Sequence, residues 1–422
     1  MRRLDAFPRI HLFDAPTPIQ RLARIEAALG LKGARLFVKR DDLMGLGGGG
    51  NKLRKLEFLL GAAIDQGCDT FVTTGARQSN HARLSAAAAA RMGLAAELML
   101  TDTVPREDEA YRHNGNQLLD GLFGATVHHL PGGADALAAA HVRAEELRAA
   151  GRKAYVVGAG GSSPVGALGY VACADEIRAQ EAALGLSFGT IIVANGSHGT
   201  HAGLVAGLAA SGDDPRRVLS FTVLAELEEA RNHTRALAND TLAVLAGDPL
   251  EGDDIRINGS QRGEAYGIPT EAMLAAVRLM ARQEGLLIDP VYSGKAFAGV
   301  LAGLVILFLL IRALIRKLRQ KPEPIPISPY EQALQELDAT RPLMKAGQDK
   351  AFSIAVSDAV RNFLERQFDM PAPESTTEEF LFTIRDHPLI KGPLADNFSR
   401  FLQLCDLAKF ARYPLGLSGM GD

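Results

Sequence analysis

Tryptophan is absent from the 422 residues of this sequence, and the three cysteines, Cys68, Cys173 and Cys405, are far apart and form no CxxC pair. This spacing argues against a disulfide framework and a zinc site, and it favours a reducing compartment. The start of the chain, MRRLDAFPRIHLFDAPTPIQ, lacks the apolar core of a secretory signal. The formal net charge of -3 gives no reason to expect a nucleic-acid partner. We therefore expect a cytoplasmic protein that does not bind nucleic acid.

Short β-rich runs alternate with alanine-rich helical stretches from residue 30 to about residue 290, and the helical stretches include 51–66 and 81–93. This alternation predicts parallel strands joined by right-handed crossovers in a doubly wound α/β architecture. Ligands of such sheets bind beyond the carboxyl ends of the strands. The strand candidates are ARLFVKRDD, DTFVTTG, AAELMLT, ATVHHLP, KAYVVGAGG, GTIIVANG and VLSFTVLAE.

The stretch GLGGGGNKLRKLEFLLGAA places four glycines before Asn51 and Lys52, ahead of a helical pattern. Glycines let the backbone approach a ligand closely. The positive field at a helix start favours the neutral form of a lysine amine, as a Schiff-base lysine requires. The alternative is a flexible loop with a solvated lysine.

Two further turns each lead from a strand into a helix. In TTGARQSNHARLS, the free amides of the helix start, with the side chains of Ser79 and Asn80, suit a carboxylate, although both residues could simply be N-caps. In GTIIVANGSHGTHAGL, the loop 195–200 forms a phosphate cradle that needs no basic side chain. His198 and His201 have no third ligand nearby, so we expect no metal site.

The three motifs together resemble the D-cysteine desulfhydrase / 1-aminocyclopropane-1-carboxylate deaminase family of fold-type II pyridoxal-phosphate enzymes. The likeness runs in order from about residue 5 to 303. It implies pyridoxal 5′-phosphate as cofactor, a homodimer, and two doubly wound α/β domains with the cofactor between them. The large domain would comprise 1–50 and 163–303, and the small inserted domain 51–162. The stretches that carry the resemblance are GGNKLRKLEFLL, RQSNHAR, GGSSPVGALGYV, GTHAGLVAGL and LLIDPVYSGKA.

The resemblance also implies roles for individual residues. Lys52 would bind the cofactor as a Schiff base and then act as base at the substrate α-carbon, and Asn80 would contact the cofactor's phenolic oxygen. The catalytic set would be Lys52, Ser79, Tyr266 and Tyr292. The substrate would meet Gln78, Ser79, Asn80, His81 and Ser293. The phosphate would be held by the loop residues Asn195, Gly196, Ser197, His198, Gly199 and Thr200.

Three positions depart from the family's pattern. Ring-opening deaminases of the family carry a glutamate after the second tyrosine, where this chain has Ser293. The reaction implied is therefore β-elimination from a D-amino acid such as D-cysteine, with ring-opening deamination as the alternative. Asn195 stands where a threonine is usual and His198 where a glycine is usual. Neither removes a backbone amide, but the His198 side chain must point away from the phosphate.

The sequence changes character after residue 303. The resembled enzymes continue with a strand and a turn whose hydroxyl meets the pyridine nitrogen. We find no such strand in 304–422, and the late candidate GLSGMGD follows none. We therefore expect weaker cofactor binding. Instead of that strand, residues 304–321 form an apolar helix with a basic collar. A proline-rich linker, 322–329, and a helical module, 330–422, follow it. With lower specificity, this part resembles the membrane-anchored helical proteins of bacterial aerotolerance (MoxR-linked) gene clusters.

Three interpretations of the apolar helix stay open. In the first, the chain is a fusion joined near residue 303. In the second, it is an enzyme anchored to the inner membrane through 296–315. In the third, it is a soluble enzyme with a buried helix. Residues 296–311 form an uninterrupted apolar run, shorter than the ~20 residues that span a bilayer. A membrane-tethered scaffold with an inactive enzyme-like half is the alternative to an active enzyme.

Overall fold

The computed structural model describes residues 3–319, 326–370, 376–390 and 392–410. It divides into two compact units, Met1–Leu314 and Ile315–Asp422. The candidate GLSGMGD turn and residues 322–325 of the proline-rich linker lie outside the described residues, and Pro329 is the first residue of a helix.

The first unit contains all nine described strands and the second contains helices. The strands are β1 (Ile19–Arg21), β2 (Phe37–Lys39), β3 (Thr70–Ala76), β4 (Ala95–Thr101), β5 (Thr126–Leu130), β6 (Ala154–Val157), β7 (Ile191–Asn195), β8 (Val218–Thr222) and β9 (Arg256–Asn258). The helices are α1 (Ala23–Ala28), α2 (Lys52–Asp65), α3 (Asn80–Met92), α4 (Glu109–His113), α5 (Asn116–Leu122), α6 (Ala136–Ala149), α7 (Pro164–Leu184), α8 (Gly199–Ala210), α9 (Leu227–Leu245), α10 (Glu271–Glu284), α11 (Ser293–Arg319), α12 (Pro329–Lys345), α13 (Asp349–Phe368), α14 (Thr377–Asp386) and α15 (Pro393–Phe410).

Two parallel sheets form the framework of the first unit. One has the strand order β5-β4-β3-β6, and the other has the order β7-β8-β9. Apolar side chains of α2 and α3, among them Leu56 and Leu84, pack with Phe71 and Leu98 of the first sheet in one core. The doubly wound α/β prediction is confirmed, and all seven predicted runs contain a strand. The short strands β1, which pairs antiparallel with β2, and β9 were not predicted.

The carboxyl ends of β3 and β7 each lead into a helix whose first turn faces the candidate site. Ser79 is the N-cap of α3 and accepts a hydrogen bond from the Ala82 amide, 3.1 Å. The residue before α8 is His198, which makes no side-chain capping bond. Both turns therefore lie where open parallel sheets bind ligands.

Helix α11 begins inside the first unit and continues beyond its core. Phe297 and Ala298 pack in a buried cluster with Leu22, Ile25 and Met280. In contrast, the large apolar side chains from Val305 to Leu314 are each 48–62% exposed: Val305, Ile306, Leu307, Phe308, Leu309, Leu310, Ile311 and Leu314. Among the described residues, Ser293–Leu314 is the helical segment long and apolar enough to cross a membrane, with a mean hydropathy of 2.5.

The second unit has its own small core between α13, α14 and α15. Leu364, Phe380, Ile384 and Leu402 are buried there together. A capping box is present at the start of α14, where the Thr376 hydroxyl and the Glu379 carboxylate each bind the other's backbone amide. The described elements after residue 319 are all helices, so the last strand of the resembled family is not found among these residues.

Candidate active site

A glycine-rich turn leads into the helix that carries Lys52. Glycines 47–50 all have positive φ, between 63° and 133°, which residues with a Cβ adopt only with strain. Lys52 is the first residue of α2, and its Nζ lies 3.5 Å from Asn51 Oδ1. Loss of hydration lowers the pKa of Lys52 to about 8, although the Asp289 carboxylate opposes this shift. Roughly a tenth of this amine is therefore neutral at pH 7, far more than for an exposed lysine with a pKa of ~10.4.

The turn before α8 brings backbone amides and hydroxyls together close to Lys52. The Ser162 hydroxyl donates to Ser197 Oγ at 2.9 Å. Asn51 Nδ2 lies 3.5 Å from Thr200 Oγ1, which ties the residue next to Lys52 to the first turn of α8. The amine and the start of α8 are therefore adjacent, and the free amides of that helix start attract an anion.

The structure adds a basic side chain that the sequence analysis missed. Lys55, one turn after Lys52, is fully buried and donates to the Gly160 carbonyl at 3.1 Å and to Ser162 Oγ at 3.3 Å. A Cβ on Gly199 would approach Lys55 Nζ to 2.6 Å and Ser162 Oγ to 2.8 Å. The lysine therefore faces the turn before α8. The NKLRK spacing, which places two lysines on one helix face, was the available signal.

These groups fit a bound phosphate. Burial and the nearby positive charge of Lys52 hold the pKa of Lys55 well below its usual range. An anion beside the Lys55 amine would favour its charged form. We call Lys55, Ser162 and the turn 196–200 the phosphate cradle. The cradle and the Lys52 amine together match the two ends of pyridoxal phosphate, its phosphate and its aldehyde.

The turn before α3 is the predicted carboxylate-binding site. Its side chains cap α3 and bind a neighbouring loop. Ser79 acts as the N-cap, the alternative that its position left open. Asn80 Oδ1 accepts a hydrogen bond from Asn116 Nδ2, 2.9 Å. Gln78 donates to the carbonyls of Tyr111 and Asn114 and accepts from the Asn116 amide. The Gln78 side chain therefore fixes the segment 111–116.

His81 lies behind the site and is 2% exposed. Its Nε2 lies 2.9 Å from Thr73 Oγ1, and its Nδ1 has no hydrogen-bond partner among the described residues. Burial, together with the positive charges of Lys52 and Lys55, holds the pKa of His81 well below its usual range. The imidazole is therefore neutral at physiological pH.

The two unusual residues of the phosphate loop point toward α9. Asn195 is buried, and its Nδ2 donates to Ser220 Oγ at 3.2 Å and to Thr234 Oγ1 at 3.0 Å. The His198 ring centroid lies 5.3 Å from that of His233, and the backbone of His198 has a φ of 65°. Burial and the neighbouring His233 lower the pKa of His198 to about 4. A glycine would adopt this backbone conformation without strain.

Tyr266 and Tyr292 form a pair, and both are close enough to Asp289 to be affected by its charge. Their hydroxyl oxygens are 2.5 Å apart. A Cβ on Gly196 would lie 2.9 Å from Tyr292 Cε1, so the Tyr292 ring lies against the phosphate cradle. Ser293 donates to Asp289 Oδ2 at 2.5 Å and accepts from the Asp289 amide at 2.9 Å, so its hydroxyl belongs to the cap of α11.

Among the described residues, no group of three or more histidine, cysteine, aspartate or glutamate side chains is placed to hold a metal ion. His201 is buried with its Nδ1 2.8 Å from Ser220 Oγ. This hydrogen bond orients its ring.

Comparisons with known proteins show the family of this chain. Residues 10–305 match the family described as "Pyridoxal-phosphate dependent enzyme". The D-cysteine desulfhydrases of Serratia proteamaculans (strain 568) and of Yersinia enterocolitica serotype O:8 are each 43% identical over 305 residues, or 72% of this chain and 90% of theirs. A crystal structure of an ACC deaminase homologue is 38% identical, with a TM-score of 0.63, over 70% of this chain and 87% of that one. The family match ends within α11.

Proposed function

Because the chain belongs to the pyridoxal-phosphate-dependent enzymes, we propose that it is a D-cysteine desulfhydrase. It would convert D-cysteine and water to pyruvate, ammonia and hydrogen sulfide. The observation that carries the proposal is the 43% identity to D-cysteine desulfhydrases over 90% of their length. The cofactor, when bound, supplies an electron sink for the negative charge that develops at the substrate α-carbon.

The properties of Lys52 support its assignment as cofactor-binding lysine and base. Its pKa of about 8 means that the amine can be neutral, and hence nucleophilic, close to the working pH of a cytoplasmic enzyme. A general base works best with a pKa near that pH, since it must be both unprotonated and basic. Asp289 would stabilise the ammonium form after the amine accepts the α-proton.

The remaining residues would orient the substrate and move protons. We propose that the phosphate cradle fixes one end of the cofactor and that Asn80 contacts the ring oxygen. The Tyr266–Tyr292 pair would donate a proton to the departing sulfur, since both phenols remain protonated at neutral pH. The uncapped amides and hydroxyl at the start of α3 would hold the substrate carboxylate. The cofactor would lie between the domain of 51–162 and the domain of 1–50 and 163–303.

The proposal is tested with purified protein and D-cysteine. Native protein should release sulfide, and Lys52→Ala should lose this activity, while Lys153→Ala at the protein surface should keep it. Borohydride reduction should leave a phosphopyridoxyl group on the peptide that contains Lys52. Comparable release of 2-oxobutanoate from 1-aminocyclopropane-1-carboxylate would favour the ring-opening deaminase instead. Wild-type sulfide release by Lys52→Ala would refute the assignment.

We also propose that the enzyme unit forms a homodimer, as the resembled family implies. Light scattering coupled to gel filtration in mild detergent measures the mass directly. A mass of twice the chain's 45.0 kDa would support the proposal, and a monomer at micromolar concentration would contradict it.

We further propose that α11 attaches the enzyme to an anionic membrane surface. Its exposed apolar side chains from Val305 to Leu314 cover all sides of the helix, so a groove on a partner would leave some uncovered. Arg312, Arg316 and Lys317 follow or interrupt this segment and would meet acidic headgroups. The ten residues are about 15 Å long, half of the ~30 Å hydrocarbon core, so the segment would enter the bilayer without spanning it.

Vesicle flotation tests this attachment. Full-length protein should float with vesicles that contain phosphatidylglycerol and less with neutral ones, and Phe308→Glu with Leu310→Glu should abolish flotation. Leu287→Glu is the control, because Leu287 is 86% exposed elsewhere in the same unit. If all variants stay with the vesicles, or if native protein forms a soluble oligomer that only the α11 substitutions dissociate, the proposal fails.

A further inference from the structure

Helix α5 presents two polar side chains, one turn apart, to the side of α3 that borders the site. Asn116 Nδ2 donates to Asn80 Oδ1 and to the Gln78 carbonyl, each at 2.9 Å. Asp120, four residues later, is completely buried and interacts electrostatically with Arg83 of α3. A short helix outside the sheets therefore binds Asn80 and places a carboxylate close enough to Arg83 for the two charges to interact.

Arg83 extends from α3 across the glycine-rich turn. Its Nη2 donates to the Gly49 carbonyl at 2.9 Å, and a Cβ on Gly48 would come within 3.5 Å of its Nη1. The Gly50 carbonyl then accepts from the Leu53 amide at 3.2 Å and so begins the helix that carries Lys52. The guanidinium thus binds the turn three residues before Lys52, the first residue of that helix.

Arg83 and Asp120 both contain buried polar atoms that lack hydrogen-bond partners within the described part of the chain. Arg83 Nε and Asp120 Oδ1 are buried and have no hydrogen-bond partner among the described residues. Asp120 Oδ2 has one contact, a hydrogen bond of 3.3 Å from Gln117 Nε2. Burying charged groups with so few partners costs stability. Arrangements that cost stability are typical of functional sites, where geometry is maintained at the expense of packing.

We propose that Arg83 and Asp120 are positioning residues that hold the glycine-rich turn so that Lys52 faces the cofactor. The positive-φ glycines give this turn conformational freedom in the absence of a fixed contact. Arg83 restricts that freedom by binding the Gly49 carbonyl, and the carboxylate of Asp120 opposes the positive charge of Arg83. This inference rests on the proposed function, because it concerns the same lysine and the same cofactor.

Three arginine variants test the contact with Gly49. Arg83→Met removes the donor and keeps the aliphatic stem, Arg83→Lys keeps the charge, and Arg91→Met is a matched control at an exposed position of α3. The dissociation constant of pyridoxal phosphate should rise at least five-fold in Arg83→Met, recover in part in Arg83→Lys and stay within two-fold in Arg91→Met. Unchanged affinity in Arg83→Met would overturn the proposal.

Asp120→Asn separates a positioning role from a structural one. Burial raises the pKa of Asp120 to about 7, so at pH 8 the native protein holds an ionised carboxylate in its interior. The amide removes this cost, so the cofactor-free variant should unfold at a higher temperature than native protein at pH 8. Its affinity for pyridoxal phosphate should nevertheless fall at least three-fold. A structural role would lower both quantities, and unchanged affinity would also contradict the proposal.

These experiments distinguish failure of the positioning role from failure of the proposed function. If native protein binds pyridoxal phosphate at Lys52 and the Arg83 and Asp120 variants bind it equally well, the positioning role fails and the enzyme assignment stands. If native protein carries no label on Lys52 after borohydride reduction, both fail.

Discussion

The hydroxyl oxygens of Tyr266 and Tyr292 lie 2.5 Å apart, and their ring centroids are 6.1 Å apart with an interplanar angle of 62°. Burial raises the pKa of both phenols, and each is also affected by the negative charge of Asp289. The pair therefore remains protonated at neutral pH and has a proton to donate. The Tyr292 ring also borders Gly196, so the same side chain connects this proton source to the phosphate cradle.

Tyr292→Phe should lower kcat for sulfide release roughly 100-fold, as expected on removal of a general acid. Its affinity for pyridoxal phosphate should change little, because the ring that packs against Gly196 is retained. Steady-state kinetics and cofactor titration measure the two effects separately. Tyr330→Phe, at an exposed position of α12, is the control and should match native protein.

Capture of pyridoxal phosphate by the cofactor-free protein should accelerate as the pH rises through about 8. Only the neutral Lys52 amine attacks the aldehyde, and its pKa is lowered to about 8 by burial. An exposed lysine would show the same rise only near pH ~10.4. Stopped-flow absorbance at a series of pH values provides the measurement, with Lys52→Ala as the blank. A midpoint near that of an exposed lysine would contradict this description of Lys52.

Lys55→Met should stabilise the cofactor-free protein and weaken cofactor binding. Because the pKa of Lys55 is lower in the folded protein than in the unfolded chain, the unfolded chain binds more protons, and stability rises with pH up to the unfolded value near 10.5. Methionine removes this penalty, so the free energy of unfolding at pH 7 should increase by roughly 1–3 kcal/mol.

Urea unfolding of both proteins at pH 7 and pH 9.5 tests the sign. The difference between Lys55→Met and native protein should shrink at the higher pH, because the cost of removing the proton on folding falls as the pH approaches the unfolded pKa near 10.5. Inorganic phosphate should stabilise native protein more than the variant. If methionine destabilises the protein equally at both pH values, Lys55 is an ordinary packing residue.

Gly199→Ala should abolish most cofactor binding without unfolding the protein. The added methyl group would lie 2.6 Å from Lys55 Nζ and 2.8 Å from Ser162 Oγ, in the space assigned to the phosphate. We expect at least a ten-fold increase in the dissociation constant of pyridoxal phosphate. Gly189→Ala serves as the matched control, because no atom lies within 4 Å of the added methyl. Equal affinities in the two variants would show that the cradle lies elsewhere.

The sequence was sufficient for the α/β architecture because short β-rich runs alternate along it with alanine-rich helical stretches. The strands β1 and β9 were missed because each has three residues, too few for a periodic pattern, whereas the equally short β2 lies within the longer run ARLFVKRDD. The pyridoxal-phosphate family was also identified correctly, from motifs whose order along the chain is specific.

The contacts of each side chain within the site could not be predicted from the sequence. Gln78 and Lys55 both occur in the motifs. In the structure, however, Gln78 binds the backbone of 111–116, and Lys55 donates to the Gly160 carbonyl. Such roles depend on which side chain faces a distant segment, and residue spacing alone does not determine that. The placement of Arg83 over Gly49 is of the same kind. The resemblance of 304–422 to aerotolerance-cluster proteins stays a prediction.

The boundary between enzyme and C-terminal segment falls within a continuous helix, because α11 begins beside Asp289 and runs to Arg319. Cleavage in the proline-rich stretch after it would therefore leave the exposed apolar residues on the catalytic fragment. Under the proposed membrane attachment, that fragment would require detergent, while the released helical fragment would be free of this segment. A chain that ends at residue 304 would preserve the contacts of Phe297 and Ala298 and lose the exposed apolar side chains from Val305 to Leu314.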